Sequence, residues 1–204
     1  MYKVVLASNS PRRKELLAGM GVKFEVIPSH KEEVITKKDP AEVVMELSCM
    51  KAEDVAGMIE DKAIIIGADT VVAIDGDILG KPRDEKDAIR MIGLLQGRSH
   101  SVYTGVSIII KEKQSGNDNK EYKVLRFAEE TKVQVYPMTE EEIKRYVATK
   151  EPMDKAGAYG IQGKFATFIK GLEGDYFNVV GFPVARIYQT LKKEGIMITS
   201  LKKE

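Results

Sequence analysis

The chain has 204 residues, of which 43% are hydrophobic and 31% charged, and its net charge is +1. That length is enough to bury a large core in one domain or in two lobes, and the near-zero charge argues against nucleic acid as a partner. The single cysteine, Cys49, excludes an internal disulfide, and we find neither a signal-peptide pattern nor an apolar run long enough to span a bilayer. We therefore expect a cytoplasmic α/β protein that binds neither nucleic acid nor membrane.

The N-terminal stretch predicts a strand, a tight turn and a helix. Residues 4–7 are apolar and indicate a buried strand. Ser10 followed by Pro11 is typical of a helix start, with serine as the capping residue, because proline suits the first helical position. Gly19 and Gly21 can end this helix.

Arg12 and Arg13 lie in the first turn of that predicted helix. Positive charge is unfavourable there, since the helix dipole is positive at its N-terminus, and each arginine costs roughly a few tenths of a kcal/mol. A bound anion would reverse that cost and satisfy the free N–H groups of the helix start. We interpret the stretch as a polyphosphate site; on these residues alone, an ordinary capped helix with solvated arginines is an equally good interpretation.

Two elements follow before the most apolar segment of the chain. Alternating residues 23–27 predict a second strand, and the polar loop after it contains Glu33. Asp39 can cap a second helix, whose apolar face continues to about residue 59. Lys51 lies within this helix.

A carboxylate interrupts the most apolar strand of the sequence. Residues 63–66 predict a central strand that continues to residue 74, and Asp75-Gly76 then predicts a hairpin turn. Asp69 is costly to bury in such a strand unless it is paired, hydrogen-bonded or bound to a metal. The structural alternative is a carboxylate bound to neighbouring N–H groups. We favour a functional role, because the returning arm of the hairpin can bring Lys81 beside Asp69.

The second half of the chain alternates helix and strand patterns. A capping box, Thr139 with Glu142, marks one of the helix starts. The predicted elements are a helix over 84–96, a strand over 102–110, a solvated loop at 111–121, one or two strands over 122–136, a helix from 139 to 148, a short strand over 165–169, a turn at 174–178 and a last helix over 183–193.

Between residues 151 and 163 lies a loop rich in glycine and polar residues. Its three glycines, Gly157, Gly160 and Gly163, predict special backbone angles or close approach to another group. The loop offers Asp, Lys, Tyr and Gln side chains, which is typical of functional loops. His100 and His30 lie at no metal-binding spacing, and we expect His100 to be a hydrogen-bonded structural residue.

Six blocks together resemble the Maf family of nucleoside triphosphate pyrophosphatases, once described as septum-formation inhibitors. They occur in the order of the family and cover the chain from about residue 4 to about residue 188. The blocks are Ser8–Arg13, Gly67–Val72, Gly80–Pro82, Gly97–Gly105, Glu151–Gly163 and Gly174–Gly181.

The resemblance implies a fold and a reaction. The fold is a mixed, elongated sheet flanked by helices, in two lobes with a central cleft, like that of the inosine-triphosphate pyrophosphatases, and we treat residues 1–204 as a single domain. The reaction is hydrolysis of dTTP, UTP or modified pyrimidine nucleotides to the monophosphate and pyrophosphate. A divalent cation, Mg²⁺ or Mn²⁺, is the implied cofactor, and a homodimer is the implied assembly.

The resemblance also implies residue roles. Asp69 is the implied proton acceptor, and Glu33 with Asp69 the implied metal ligands. The remaining roles are phosphate binding by Ser8, Arg13, Lys51 and Lys81, and selection of dTTP and UTP over 7-methyl-GTP by Arg12, Thr70 and Gln162. The segment before Glu33 is less acidic than is usual in the family. A nucleotide-binding regulator of cell division without turnover is the alternative function.

Overall fold

The computed structural model describes residues 2–112 and 122–200. Within these ranges the chain alternates strands and helices. The strands are β1 Lys3–Leu6, β2 Glu25–Val26, β3 Ala63–Ile74, β4 Asp77–Leu79, β5 Ser99–Lys111, β6 Tyr122–Val135 and β7 Ile169–Glu173. The helices are α1 Pro11–Gly19, α2 Pro40–Gly57, α3 Glu85–Leu95, α4 Glu140–Ala148, α5 Tyr176–Val180 and α6 Val184–Lys193. Short 3-10 turns cover Glu151–Asp154, Ala156–Ala158, Lys164–Phe168 and Ile198–Ser200.

The described strands form one mixed sheet in the order β2-β1-β3-β5-β6-β7, with β4 paired to β3. β1 is parallel to both β2 and β3, whereas β4 is antiparallel to β3 and β7 is antiparallel to β6. The mixed sheet flanked by helices that the sequence predicted is therefore confirmed. Among the described helices, none is both long and apolar enough to cross a membrane.

The chain forms two compact units, each built from separate segments. Unit 1 contains Met1–Asp69, Thr104–Ala128 and Gly181–Glu204, and unit 2 contains Thr70–Tyr103 and Glu129–Val180. This division agrees with the two lobes implied by the resemblance. The central cleft and the treatment of the chain as a single domain stay predictions.

Each unit has its own apolar core. In unit 1, β1 and β3 are buried on both faces: Val4 and Ile64 pack in one cluster, while Val5 and Ile65 pack in another. Two-sided burial explains why residues 63–66 are uniformly apolar rather than alternating, as is usual for parallel strands covered on both faces. The core of unit 2 is centred on Phe165, which is fully buried.

Capping and turn residues explain where several elements begin. Asp39 accepts a hydrogen bond from the backbone N–H of Glu42, and Thr139 and Glu142 form the predicted capping box. Asp75 and Gly76 both adopt positive φ, at 53° and 86°, which the tight turn between β3 and β4 requires. These three predictions from local sequence are confirmed.

Other predictions of local structure were wrong. The short strand expected over 165–169 is a 3-10 turn, and the strand begins only at Ile169. The turn expected over 174–178 includes the start of helix α5, and β2 covers two residues rather than the five of 23–27. Most of the loop predicted at 111–121 lies outside the described residues.

Gly67 allows helix α2 to pack directly on strand β3. A Cβ atom at this position would lie 2.4 Å from the backbone oxygen of Ser48 and 3.0 Å from the Cβ of Ala52. The helix backbone therefore occupies the position that a side chain at residue 67 would need. This contact sets the distance between Lys51 on α2 and Asp69 on β3.

Gly67→Ala should lower the free energy of unfolding by about 1–3 kcal/mol, because the added methyl group overlaps helix backbone that cannot move away alone. Gly93→Ala is the matched control: Gly93 lies inside α3, and an added Cβ meets nothing within 4 Å. That control should raise stability by roughly 0.5–1 kcal/mol through helix propensity. Urea unfolding of both variants measures the difference, and equal stabilities would show that the α2–β3 contact tolerates a side chain.

Candidate active site

Arg13 connects the start of helix α1 to the strand that carries Asp69. Its Nε donates to the carbonyl of Gly181 at 2.9 Å, and its Nη1 donates to the carbonyl of Ala68 at 2.8 Å and to Ser8 Oγ at 3.2 Å. Ser8 Oγ also accepts from the backbone N–H of Ser10 at 3.2 Å. Arg13 therefore fixes the backbone immediately before Asp69.

Three other charged residues of the predicted site, Asp69, Glu33 and Arg12, act on the pKa of Arg13. Burial lowers the pKa of the Arg13 guanidinium from its usual value, Asp69 and Glu33 act to raise it, and Arg12 adds to the lowering. An arginine stays protonated despite such a lowering, because the guanidinium is the strongest base among protein side chains. The two arginines and the two carboxylates thus share one electrostatic environment within unit 1.

Lys51 lies between the two predicted metal ligands. Its Nζ is 2.5 Å from an Asp69 oxygen and 2.8 Å from a Glu33 oxygen. The side chains of Lys51 and Asp69 are only 17% and 15% exposed, whereas that of Glu33 is 51% exposed. An ion pair with Lys51 therefore offsets the cost of burying Asp69. The sequence indicated that such a partner was needed, but it placed Lys81, not Lys51, beside Asp69.

The two carboxylates of the Glu33–Lys51–Asp69 cluster are donors of the kind that divalent cations bind in proteins. Its two carboxylates already converge on one positive charge, the ammonium of Lys51. Across residues 2–112 and 122–200, no group of three or more His, Cys, Asp or Glu side chains could hold a metal by itself. Two carboxylates suit Mg²⁺ in particular, since it is usually bound through one or two carboxylates plus phosphate oxygens and water.

Helix α1 begins as predicted, with one difference. Ser10 is at the N-cap position and Pro11 opens the helix, but the Ser10 side chain makes no capping hydrogen bond to the described residues. The first turn also contains no acidic residue. The N–H groups of this turn are therefore not satisfied by the usual cap, which leaves the anion interpretation of this helix start in place.

The remaining predicted site residues lie in unit 2. Thr70 follows Asp69 in β3, Lys81 is exposed just after β4, and Gln162 is exposed in the loop that precedes the 3-10 turn Lys164–Phe168. The backbone N–H of Gly157 donates to the carbonyl of Gly80 at 3.0 Å, so the loop containing Gln162 is bound to the turn containing Lys81. Because Asp69 belongs to unit 1, the predicted placement of Lys81 beside it stays a prediction.

The loop over 151–163 is more ordered than its composition suggested. It contains two 3-10 turns, and Tyr159, expected to be one of its functional side chains, is instead buried. The Tyr159 hydroxyl is 2.7 Å from Nε2 of His100, which is buried as well. His100 is thus the hydrogen-bonded structural residue that the sequence predicted.

Two residues of the second unit, Glu151 and Asn178, were missed by the sequence reasoning. Glu151 accepts hydrogen bonds from the Tyr146 hydroxyl and from the backbone N–H of Lys164. Asn178 is fully buried and donates to Thr131 Oγ1 at 2.9 Å and to the carbonyl of Val102 at 3.0 Å. Both Glu151 and Asn178 lie inside the blocks that carry the family resemblance, which was the only available signal.

Fold and site together define an α/β protein with a charged cluster suited to polyphosphate chemistry: two carboxylates, a shared lysine and arginines at a helix start. Residues 3–194 match the family described as Maf-like protein. The chain belongs to the Maf family, as the sequence blocks predicted.

Relatives of known name resemble the chain over nearly its full length. It is 52% identical over 208 residues to a dTTP/UTP pyrophosphatase of Agathobacter rectalis, covering 96% of this chain and 99% of the relative. It is 52% identical over 196 residues to a dTTP/UTP pyrophosphatase of Lachnoclostridium phytofermentans, with 96% and 97% covered. A dTTP/UTP pyrophosphatase of Carboxydothermus hydrogenoformans is 50% identical over 194 residues, with 95% and 99% covered.

Among solved structures, the chain is similar to the Ham1 protein of Staphylococcus aureus, with a TM-score of 0.41 at 17% identity over 82% of this chain and 79% of that one. It is also similar to a nucleoside-triphosphatase, a dITP/XTP pyrophosphatase, of Mycobacterium abscessus. That TM-score is 0.38 at 11% identity, over 67% and 75% of the two chains.

The stability of the protein should fall in acid because of His100. Burial lowers the pKa of His100 from its ordinary 6.5 to about 4, so the unfolded chain binds a proton between these values that the native chain does not. The stabilisation is complete above pH 6.5 and is lost as the pH falls towards 4, a change on the order of 3 kcal/mol.

Unfolding free energies of His100→Gln measured from pH 7 to pH 4 test this expectation. The variant should be less stable at pH 7 but should lose less stability in acid. His30→Gln is the control, since His30 is the other histidine of the chain and is exposed. Identical pH dependence in the two variants would remove His100 as the cause.

Proposed function

We propose that this chain is a nucleoside triphosphate pyrophosphatase that converts dTTP and UTP to the monophosphate and pyrophosphate. The observation that carries the proposal is the Glu33–Lys51–Asp69 cluster, located beside the helix start that bears Arg12 and Arg13. The names of relatives about 50% identical over nearly the whole chain support the same activity.

Asp69 is the residue suited to activate water. Its carboxylate lies 2.5 Å from Lys51 Nζ, and a carboxylate oxygen can accept a proton from water. In the proposed reaction a water oxygen forms a bond to the α-phosphorus, and its proton goes to Asp69. The bond from the α-phosphorus to the oxygen bridging to the β-phosphate breaks, and pyrophosphate leaves with the electron pair.

The phosphate chain would be bound by cations and N–H groups. Ser8 precedes the first turn of α1 and Arg12 lies within it, and Ser10 gives that turn no side-chain cap. Lys51 and Lys81 would add further positive charge. Such fixed donors and charges are the main source of rate enhancement in phosphoryl transfer, because they stabilise charge that develops on the phosphate oxygens.

Glu33 and Asp69 would hold a divalent cation together with the phosphate oxygens. When bound, that ion would supply Lewis-acid polarisation of the phosphate and would lower the pKa of a coordinated water. Lys51 would then neutralise phosphate charge instead of the two carboxylates. The exposure of Glu33 makes this carboxylate accessible to an incoming ion.

Gln162 would select the base. A glutamine amide both donates and accepts, which matches the adjacent O4 and N3–H of uracil and thymine. Arg12 and Thr70 complete the set that the resemblance associates with dTTP and UTP rather than 7-methyl-GTP. Modified pyrimidine nucleotides with the same edge are also expected substrates.

The alternative of a cell-division regulator without turnover gains no support from the relatives, whose names describe catalysis. A binding protein would also need no general base, whereas the carboxylate of Asp69 can act as one. A cytoplasmic location and a homodimer stay predictions.

Asp69→Asn should reduce pyrophosphate release from UTP by about a thousandfold or more, because an amide neither accepts the proton nor binds the metal well. Asp77→Asn on the exposed strand β4 is the matched control and should keep full activity. A coupled pyrophosphate assay gives the rates, and calorimetric binding of UTP shows whether the variant still folds and binds. Normal turnover by Asp69→Asn would exclude the proposed role.

Glu33→Gln should raise the Mg²⁺ concentration needed for half-maximal activity roughly tenfold or more, since it removes one charged ligand. The neighbouring exposed residue provides the control variant Glu32→Gln, which should not change the metal requirement. Direct Mn²⁺ titration of both variants gives the affinity independently of turnover. Full activity of the wild-type protein in excess EDTA would contradict any metal dependence.

A further inference from the structure

The carboxylate of Glu151 joins the two ends of the loop that contains Gln162. Its Oε2 accepts from the backbone N–H of Lys164 at 3.1 Å, across a separation of 13 residues. Its Oε1 accepts from the hydroxyl of Tyr146 at 3.2 Å, and that tyrosine is buried on helix α4. The loop is therefore closed by one side chain that is itself held by a rigid element.

The Glu151 carboxylate packs directly against Gly163. A Cβ atom at Gly163 would lie 2.9 Å from both oxygens of Glu151, and the glycine adopts a φ of 86°. The carboxylate thus occupies the position of the missing side chain. Because Gly163 and Lys164 follow Gln162 directly, contacts with Glu151 fix the backbone on one side of Gln162.

The other side of the loop is held by Lys155. Its Nζ donates to the backbone carbonyl of Glu151 and to the carboxylate of Asp154, both at 2.7 Å. Gly160 packs against the methylene groups of Lys155, at 2.9 Å from an ideal Cβ position. Gly157 then connects the loop to Gly80, as described above.

We propose that Glu151 is a positioning residue that holds Gln162 against the base and thereby sets the discrimination between uracil and cytosine nucleotides. The inference rests on the proposed function, in which Gln162 recognises the base. The side chain of Gln162 is exposed, so its direction depends on the backbone that Glu151 fixes. When that backbone is loosened, the amide can turn over, and its exchanged donor and acceptor then match the 4-amino edge of cytosine almost as well as the 4-keto edge of uracil.

A conservative variant separates positioning from charge. Glu151→Gln keeps both contacts, because the new amide oxygen can accept from Lys164 N–H while the amide NH₂ donates to the Tyr146 hydroxyl. Glu151→Ala removes both contacts. Glu140→Ala is the control, since Glu140 is an exposed residue of helix α4 that forms an ion pair with Lys144.

The test is the ratio of kcat/KM for UTP to kcat/KM for CTP. Glu151→Ala should lower this ratio about tenfold, mainly by raising KM for UTP, whereas Glu151→Gln and Glu140→Ala should stay within about threefold of the wild-type protein. In a Gln162→Ala background, adding Glu151→Ala should change the ratio no further, since both act on one contact. A general loss of structure would instead lower both rates and leave the ratio unchanged.

Hydrogen exchange gives a readout that does not depend on turnover. Backbone amides over 155–163 should exchange faster in Glu151→Ala, and those of α4 should not. If the wild-type protein is active and the ratio of kcat/KM for UTP to kcat/KM for CTP is unchanged in Glu151→Ala, the proposed role of Glu151 is overturned while the proposed function stands. Absence of turnover in the wild-type protein would overturn the proposed function. The role of Glu151 would then be tested by the ratio of binding affinities for UTP and CTP in the wild-type protein and in Glu151→Ala.

Discussion

The site depends on one ion pair, that between Lys51 on helix α2 and Asp69 on strand β3. A carboxylate in an apolar strand is stable only with a partner, and this partner is available only because α2 packs directly against β3 at Gly67. Arg13 adds the second constraint by binding the carbonyl of Ala68. The position of Asp69 is therefore set from the helix on one side and from its own backbone on the other.

The two units contribute different chemistry. Unit 1 holds the charges that suit phosphate and metal, and unit 2 holds the loop with Gln162 and the turn with Lys81. Within unit 2, the Gly157–Gly80 hydrogen bond and the Glu151 carboxylate keep the loop in one conformation without using the exposed side chain of Gln162. This separation leaves Gln162 available for a ligand.

Sequence patterns correctly predicted the features that depend on interactions between residues close together in the chain. The caps at Asp39 and Thr139, the Asp75-Gly76 turn and the buried strand at 63–66 all follow from hydrogen bonding or apolar spacing over a few residues. The segment 165–169 was assigned to the wrong element because its aromatic residues belong to the core of unit 2, where packing overrides strand propensity. The choice of Lys51 as the partner of Asp69, and of Glu151 as the closing group of its loop, depends on tertiary contacts that spacing does not contain.

In the proposed reaction, water activated by Asp69 attacks the α-phosphorus of a pyrimidine nucleoside triphosphate. Hydrolysis of UTP in ¹⁸O-labelled water, followed by mass spectrometry of both products, tests this most directly. Attack at the α-phosphorus should place one ¹⁸O atom in UMP and none in pyrophosphate. Label in pyrophosphate, or release of orthophosphate with UDP, would contradict it.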